Sequence, residues 1–169
     1  MNALLLPGRT ASIRKWAQNL TEQLASALNG ECQLHEYQWW QDPDLAPDPL
    51  AEVNRLPSTS VDLVVAKSIG TLIAAKALTS HTLKCQLIVL IGIPVNGLDD
   101  EGRVLLQALF QGPVPVLVIQ QEQDIAGSAE QVHALLTDRV ELQVVSGHDH
   151  LYSDVDKLVT LIMKWLQSV

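Results

Sequence analysis

The sequence predicts an α/β fold, a doubly wound and mostly parallel sheet of about six strands with helices on both faces. Short apolar runs that read as strands alternate with segments of helical periodicity, which is the pattern of a parallel sheet with helical crossovers. The run from Val61 to Ala66 is apolar apart from Asp62, as expected of a strand covered on both faces. The chain's 169 residues, 47% hydrophobic and 18% charged, suffice for one core and leave no room for a second of comparable size. Residues 1–169 are therefore expected to form one domain.

The elements follow in order. Ala3 to Leu6 reads as a strand ended by the Pro7-Gly8 turn. Ile13, Trp16, Ala17, Leu20, Leu24, Ala27 and Leu28 then share one helical face, and Asn29-Gly30 supplies the stop. A weaker strand is expected over Leu34 to Tyr37. It leads into Trp39-Trp40, expected to be packing aromatics with the crevice or a subunit contact as the alternatives, and into an irregular stretch rich in Pro and Asp from Asp42 to Pro57. After the Val61 to Ala66 strand, Ile69 to Leu78 reads as a helix rich in small residues. Further strands are expected at Leu87 to Ile91, Val114 to Ile119 and Val140 to Val145, with helices over Arg103 to Phe110 and Ala129 to Leu136. Ser128 and Gln131 give the second of these helices a capping box. The last helix puts Val155, Leu158, Val159, Ile162, Trp165 and Leu166 on one face, with Ser153 and Asp156 in capping-box spacing ahead of it.

Charge narrows the partners. Eleven Lys and Arg against nineteen Asp and Glu give a net charge of -8, which repels phosphate backbones and anionic headgroups, so neither nucleic acid nor membrane is expected. Cys32 and Cys85 have no metal-type spacing and read as buried small hydrophobes in a reducing compartment. No apolar run reaches membrane-spanning length, and Ala3 to Leu6 is too short for a secretory core, so a cytoplasmic protein is expected. Self-association stays open.

The most informative stretch is Val64-Val65-Ala66-Lys67-Ser68-Ile69-Gly70, where a buried strand runs into a sharp turn and then a helix, with Ser at the turn. A nucleophilic serine placed there presents its hydroxyl above the sheet, and the helix N-terminus beneath it favours the negative charge of acyl transfer. Ala66 and Gly70, two before and two after, let the chains approach closely. The pattern is A-x-S-x-G in place of G-x-S-x-G. Taken alone, Ser68 reads equally well as a helix cap.

In this motif and its context the chain resembles the alpha/beta hydrolase superfamily, and in particular its short, lidless members similar to dienelactone hydrolase-like serine hydrolases. The resemblance spans nearly the whole chain, which looks like the family fold without its first two strands and with no insertion long enough to be a cap domain. It implies a catalytic triad in the order Ser, acid, His, each after its own strand, and no cofactor. Asp124, in the loop after Val116 to Ile119, then corresponds to the acid, with Glu122 the alternative. The histidine falls in Ser146-Gly147-His148-Asp149-His150-Leu151. Both His148 and His150 fit; Asp149-His150 followed by Leu151 resembles the small members more closely, making His150 the first choice and His148 the alternative base. The backbone N–H groups of Ile69 and Arg9 would form the oxyanion hole.

Topology supports the same crevice independently. If the strands follow the order 2-1-3-4-5-6, ligands bind beyond the C-terminal ends of the first and third strands, where Pro7 to Thr10 and Lys67 to Ile69 lie. His148-Asp149-His150 could place two metal ligands on one side of an extended segment, but no third ligand cluster is visible and metal is not expected. His35, His81 and His133 read as surface residues. The expected function is hydrolysis of small or short-acyl esters or thioesters through an acyl-enzyme. The competing classes are a non-catalytic binding protein on the same fold and a flavodoxin-like nucleotide binder, the latter lacking a phosphate-cradling Gly pattern in Pro7-Gly8-Arg9-Thr10.

Overall fold

The computed structural model describes residues 1–42, 44–57 and 60–169. Strands β1 (Ala3–Leu6), β2 (Cys32–Leu34), β3 (Val61–Lys67), β4 (Cys85–Ile91), β5 (Val116–Gln121) and β6 (Val140–Val145) form one sheet in the order β2-β1-β3-β4-β5-β6. Every neighbouring pair is parallel, with β1 joined to β3 through Ala3 opposite Leu63 to Leu6 opposite Ala66. Parallel neighbours need crossovers, which the helices α1 (Arg14–Leu28), α2 (Gln38–Gln41), α3 (Pro49–Val53), α4 (Ile69–Thr79), α5 (Asp100–Gln111), α6 (Ala129–His133) and α7 (Val155–Leu166) supply. Helices α1 and α7 pack on each other, and α4 packs on α3 and α5; right-handed crossovers put these two groups on opposite faces of the sheet.

The central strands are apolar because both their faces are covered. All of β1 and β5, Leu63 to Lys67 of β3 and Ile88 to Ile91 of β4 are buried, whereas the edge strands β2 and β6 are only partly so. Each buried Leu, Ile or Val contributes about 1.5–3 kcal/mol relative to an exposed one, so the sheet centre is the rigid base of the molecule. The order reverses between β1 and β3, which opens a crevice beyond their C-terminal ends.

Several local expectations are corrected. The second strand lies at Cys32–Leu34 and not at residues 34–37, because Tyr37 and, in the one-turn α2 that follows it, Trp39 and Trp40 turn inward. The stretch from Asp42 to Pro57, whose Pro43 lies outside the described residues, contains α3, capped by the Asp48 carboxylate and begun by Pro49. The capping box of Ser128 and Gln131 forms, but α6 ends at His133 and not at Leu136. The last helix is capped by Asp154, whose side chain accepts from Lys157 N–H, in place of Ser153. His35 is buried, its ring bonded to the buried Glu52 carboxylate at 2.7 Å; His81 and His133 are exposed. Cys32 and Cys85 are free and half-buried. Among the described residues no helix is long and apolar enough to cross a membrane.

Candidate active site

Ser68 joins β3 to α4 with φ 53 and ψ -120, a conformation that costs a non-glycine residue about 1–3 kcal/mol. Its side chain does not cap α4, so the bland reading of a cap does not account for it. The turn is held by Ser68 N–H donating to Ile91 C=O at 3.0 Å, and by Thr71, which donates to Ser68 C=O from both N–H and Oγ1. Gly70 is obligatory here: a Cβ would fall on the carbonyl oxygens of Leu6 and Pro7, the latter at 2.7 Å. The small residue lets α4 start directly over the end of β1.

Three sequence-separated side chains meet at this turn. His150 Nε2 lies 2.9 Å from Ser68 Oγ, and His150 Nδ1 lies 2.9 Å from both carboxylate oxygens of Asp124. Exposure grades along the line, from 0% for the Asp124 side chain to 19% for that of His150. Burial pushes the Asp124 carboxyl up, but hydrogen bonds from His150, Tyr152 and Ala126 N–H, with the His150 charge, outweigh it and hold the group below the usual carboxylate value. His148 is exposed on the same loop, with no side-chain hydrogen bond among the described residues, and Glu122 is exposed. Neither joins the constellation.

The loop carrying His150 is fixed from three sides. His150, at φ 62, donates its N–H to Gln121 Oε1 at 2.9 Å and receives Lys67 Nζ on its carbonyl at 3.0 Å. Gln121 Nε2 also holds Asp149 Oδ1, and Tyr152 Oη accepts Gln121 N–H while donating to Asp124 Oδ2 at 2.7 Å. Gly92, at φ 61, leaves room for these rings, because a Cβ there would lie 2.7 Å from Tyr152 and 3.1 Å from His150. Lys67 is only 4% exposed, with its ammonium 5.6 Å from the centres of the Trp16 and Tyr152 rings. Burial lowers its pKa to about 8 against the opposing pull of Asp124 and Asp149. A cavity of about 220 Å³ lies behind this loop, lined by Gln121, Gly147, Asp149, Tyr152 and Lys157 among others.

The first turn faces the serine. A Cβ on Gly8 would lie 3.7 Å from Ser68 Cβ, so Pro7 to Thr10 and Ser68 line one crevice. Neither Arg9 N–H nor Ile69 N–H is used in a hydrogen bond among the described residues, which leaves both available to an anionic oxygen. Among the described residues no group of three or more His, Cys, Asp or Glu could hold a metal ion, the 148–150 segment included.

A family model described as an alpha/beta hydrolase domain matches residues 41–164. The chain belongs to the alpha/beta hydrolase family. Solved structures agree on the fold. A protein assigned to the hydrolases of the alpha/beta superfamily from Xanthomonas campestris pv. campestris superposes with a TM-score of 0.71 at 17% identity, covering 99% of each chain. An alpha-beta serine hydrolase homologue from Coxiella burnetii gives a TM-score of 0.68 at 21% identity, covering 98% of this chain and 85% of that one. A cold-adapted esterase from an Arctic intertidal metagenomic library gives 0.64 at 16% identity, covering 99% and 81%. No curated protein sequence matches the chain.

Within this alpha/beta hydrolase architecture, sequence reasoning missed the contacts of Lys67, Gln120, Gln121 and Tyr152 around the loops of Asp124 and His150. One signal could have found the glutamines. Two amides in succession end the otherwise apolar β5, and both are buried, with Gln120 accepting Ile93 N–H and donating to Gly127 C=O. Nothing in the local sequence announces that Tyr152 reaches back to Asp124.

Proposed function

We propose that this alpha/beta hydrolase is a serine hydrolase of the short, lidless kind that cleaves small or short-acyl esters or thioesters in the cytoplasm. The observation that carries the assignment is the unbroken line of contacts from Asp124 through His150 to Ser68, with Ser68 held at φ 53. His150 takes the proton from Ser68 Oγ as the oxygen attacks the ester carbonyl. Asp124 holds the imidazole in the right tautomer and stabilises its charged form. Ile69 N–H and Arg9 N–H donate to the oxyanion, each supplying about 2.7–4 kcal/mol of transition-state stabilisation. The alcohol or thiol leaves with the proton from His150. Water, deprotonated by the same imidazole, then releases the acid and restores the serine.

The half-buried Ser68, with Gly8 of the short first turn close against it, supports a small substrate. The two free thiols, Cys32 and Cys85, support the cytoplasmic reading, since unpaired cysteines are usual in a reducing compartment. Labelling the purified protein with a fluorophosphonate and locating the adduct by peptide mass spectrometry tests the assignment. The adduct is expected on Ser68, absent in Ser68→Ala, lost or slowed at least a hundredfold in His150→Ala and retained in His148→Ala. No adduct on folded wild-type protein would move the chain to the non-catalytic binding class.

A further inference from the structure

Three aromatic side chains near the crevice end on the backbone of one turn. Trp39 Nε1 and Trp40 Nε1 both donate to Arg9 C=O, at 2.7 and 2.9 Å, so two indoles occupy a single carbonyl oxygen. Tyr37 Oη donates to Pro7 C=O at 2.6 Å. The rings brace one another: Tyr37 stacks on Trp39 with centroids 4.4 Å apart and meets Trp40 edge-on at 5.5 Å. Behind them, buried Glu52 holds the start of α2 by accepting Gln38 N–H at 2.7 Å, and it is itself paired with His35 and Arg55.

We propose that Tyr37, Trp39 and Trp40 are positioning residues that aim the Arg9 N–H into the oxyanion hole, a role that rests on the serine-hydrolase assignment above. The two carbonyls they hold belong to the peptides on either side of the one that carries Arg9 N–H. Gly8, which sits between them, leaves that peptide free to rotate unless its neighbours are fixed. An oxyanion donor works only if it is already aimed before charge develops, since reorientation during the reaction would consume the stabilisation it provides. Packing alone would ask each polar tip for some partner. It does not ask two indoles to converge on the same carbonyl, that of the exposed Arg9, when a single donor would satisfy it.

Tyr37→Phe keeps its ring and removes only the donor, whereas Trp39→Phe, Trp40→Phe and the double variant remove the donor together with the five-membered ring of the indole, so melting is read beside every rate. Hydrolysis of p-nitrophenyl acetate and of its thiono analogue is measured for each, beside thermal melting and fluorophosphonate labelling of wild type. The double variant is expected to lose about tenfold or more in kcat on the oxo ester, each single variant less, with KM little changed. Sulfur is a poor hydrogen-bond acceptor, so the thiono ester gains less from the hole and its kcat should fall less. The oxo-to-thiono rate ratio therefore shrinks in the variants. A purely structural role would lower both rates together and leave that ratio fixed, which would overturn the proposal, as would an unchanged kcat. Should the double variant not fold, Tyr37→Phe reads the same ratio from the Pro7 side. Wild type that is not labelled at Ser68 overturns the hydrolase assignment itself and the clamp with it; wild type that is labelled, with variants unchanged, overturns the clamp alone.

Discussion

Asp124 is buried and accepts from His150 Nδ1, Tyr152 Oη and Ala126 N–H, with Gln120 Nε2 farther off at 3.3 Å. That surplus of donors is what keeps a buried carboxyl ionised beside an imidazole, and it makes the residue intolerant of a neutral isostere. An amide in Asp124→Asn must turn its NH2 towards at least one of these donors, and the tautomer of His150 that can accept the Ser68 proton is no longer favoured. A fall in kcat of about 10³–10⁴ is expected, read by steady-state kinetics on a short-acyl ester, together with a loss of stability of about 1–3 kcal/mol from the buried donor left unpaired. Tyr152→Phe acts on the same group more gently. It leaves Gln121 N–H buried without a partner and removes one of the bonds that depress the Asp124 pKa, so a loss of about 1–3 kcal/mol in urea unfolding is expected. Carboxyl titration followed by NMR should then place Asp124 higher than in wild type; an unmoved value would mean that Tyr152 supports the fold alone.

The strand-turn-helix unit β3-Ser68-α4 is the element on which the site depends, and Gly70 is its tightest point. Gly70→Ala drives a methyl into backbone oxygens of Leu6 and Pro7, which cannot swing aside as a side chain can. The element must shift, at a cost of about 1–3 kcal/mol, and the Ser68 to His150 contact opens with it. Slower fluorophosphonate labelling, out of proportion to the loss of stability, is the expected result, and labelling at the wild-type rate would mean that α4 can move without moving Ser68. This unit was legible in the sequence because its determinants are local: an apolar run, a serine and a glycine at fixed offsets. Every strand but β2 was legible for the same reason, since apolar runs bounded by turns repeat along the chain; the sheet order entered only as a condition of a doubly wound fold, and the structure has that order. Residues 34–41 were not. Leu34 to Tyr37 reads as a weak strand, yet the chain leaves the sheet after Leu34 because Tyr37, Trp39 and Trp40 bury their rings and find carbonyls about thirty residues away in sequence. His35 was misread because its partner, Glu52, lies in a segment whose path no periodicity reveals. Choosing His150 over His148 rested on resemblance, for nothing in the spacing of the two says which one faces Ser68.

At the scale of the whole molecule, the groups with shifted pKa values fix how stability varies with pH. A buried lysine whose pKa is lowered releases its proton in the folded state before it would in the unfolded chain. For Lys67 the folded value is about 8 against an ordinary 10.5, so between these the unfolded chain binds more protons and stability rises with pH. The two thiols act in the opposite sense. Cys32 and Cys85 are raised from 9.0 to about 11 and about 12, so above pH 9 the unfolded chain sheds protons that the folded one keeps, and stability falls. Tyr37 and Tyr152, both raised by burial, add to the fall above pH 10. Wild-type stability should therefore climb from about pH 7.5 to just below 9 and decline beyond it, with a slope well below the roughly 1.4 kcal/mol per pH unit of one fully titrating group, because the two thiols already offset the lysine as pH 9 is approached. Lys67→Met removes the rise and keeps the decline. The variant should also be more stable than wild type at pH 7, by about 1–2 kcal/mol, because a buried charge with one hydrogen bond gives way to an apolar chain between Trp16 and Tyr152. Activity should move the other way, since His150 C=O loses the donor that helps to hold the base over Ser68. Urea midpoints of both proteins from pH 7 to 10, paired with kcat at pH 7, read all of this at once. Parallel stability curves between pH 8 and 9 would show that Lys67 is not the group that titrates there. A variant that is more stable and fully active would show that the lysine does not help to place His150.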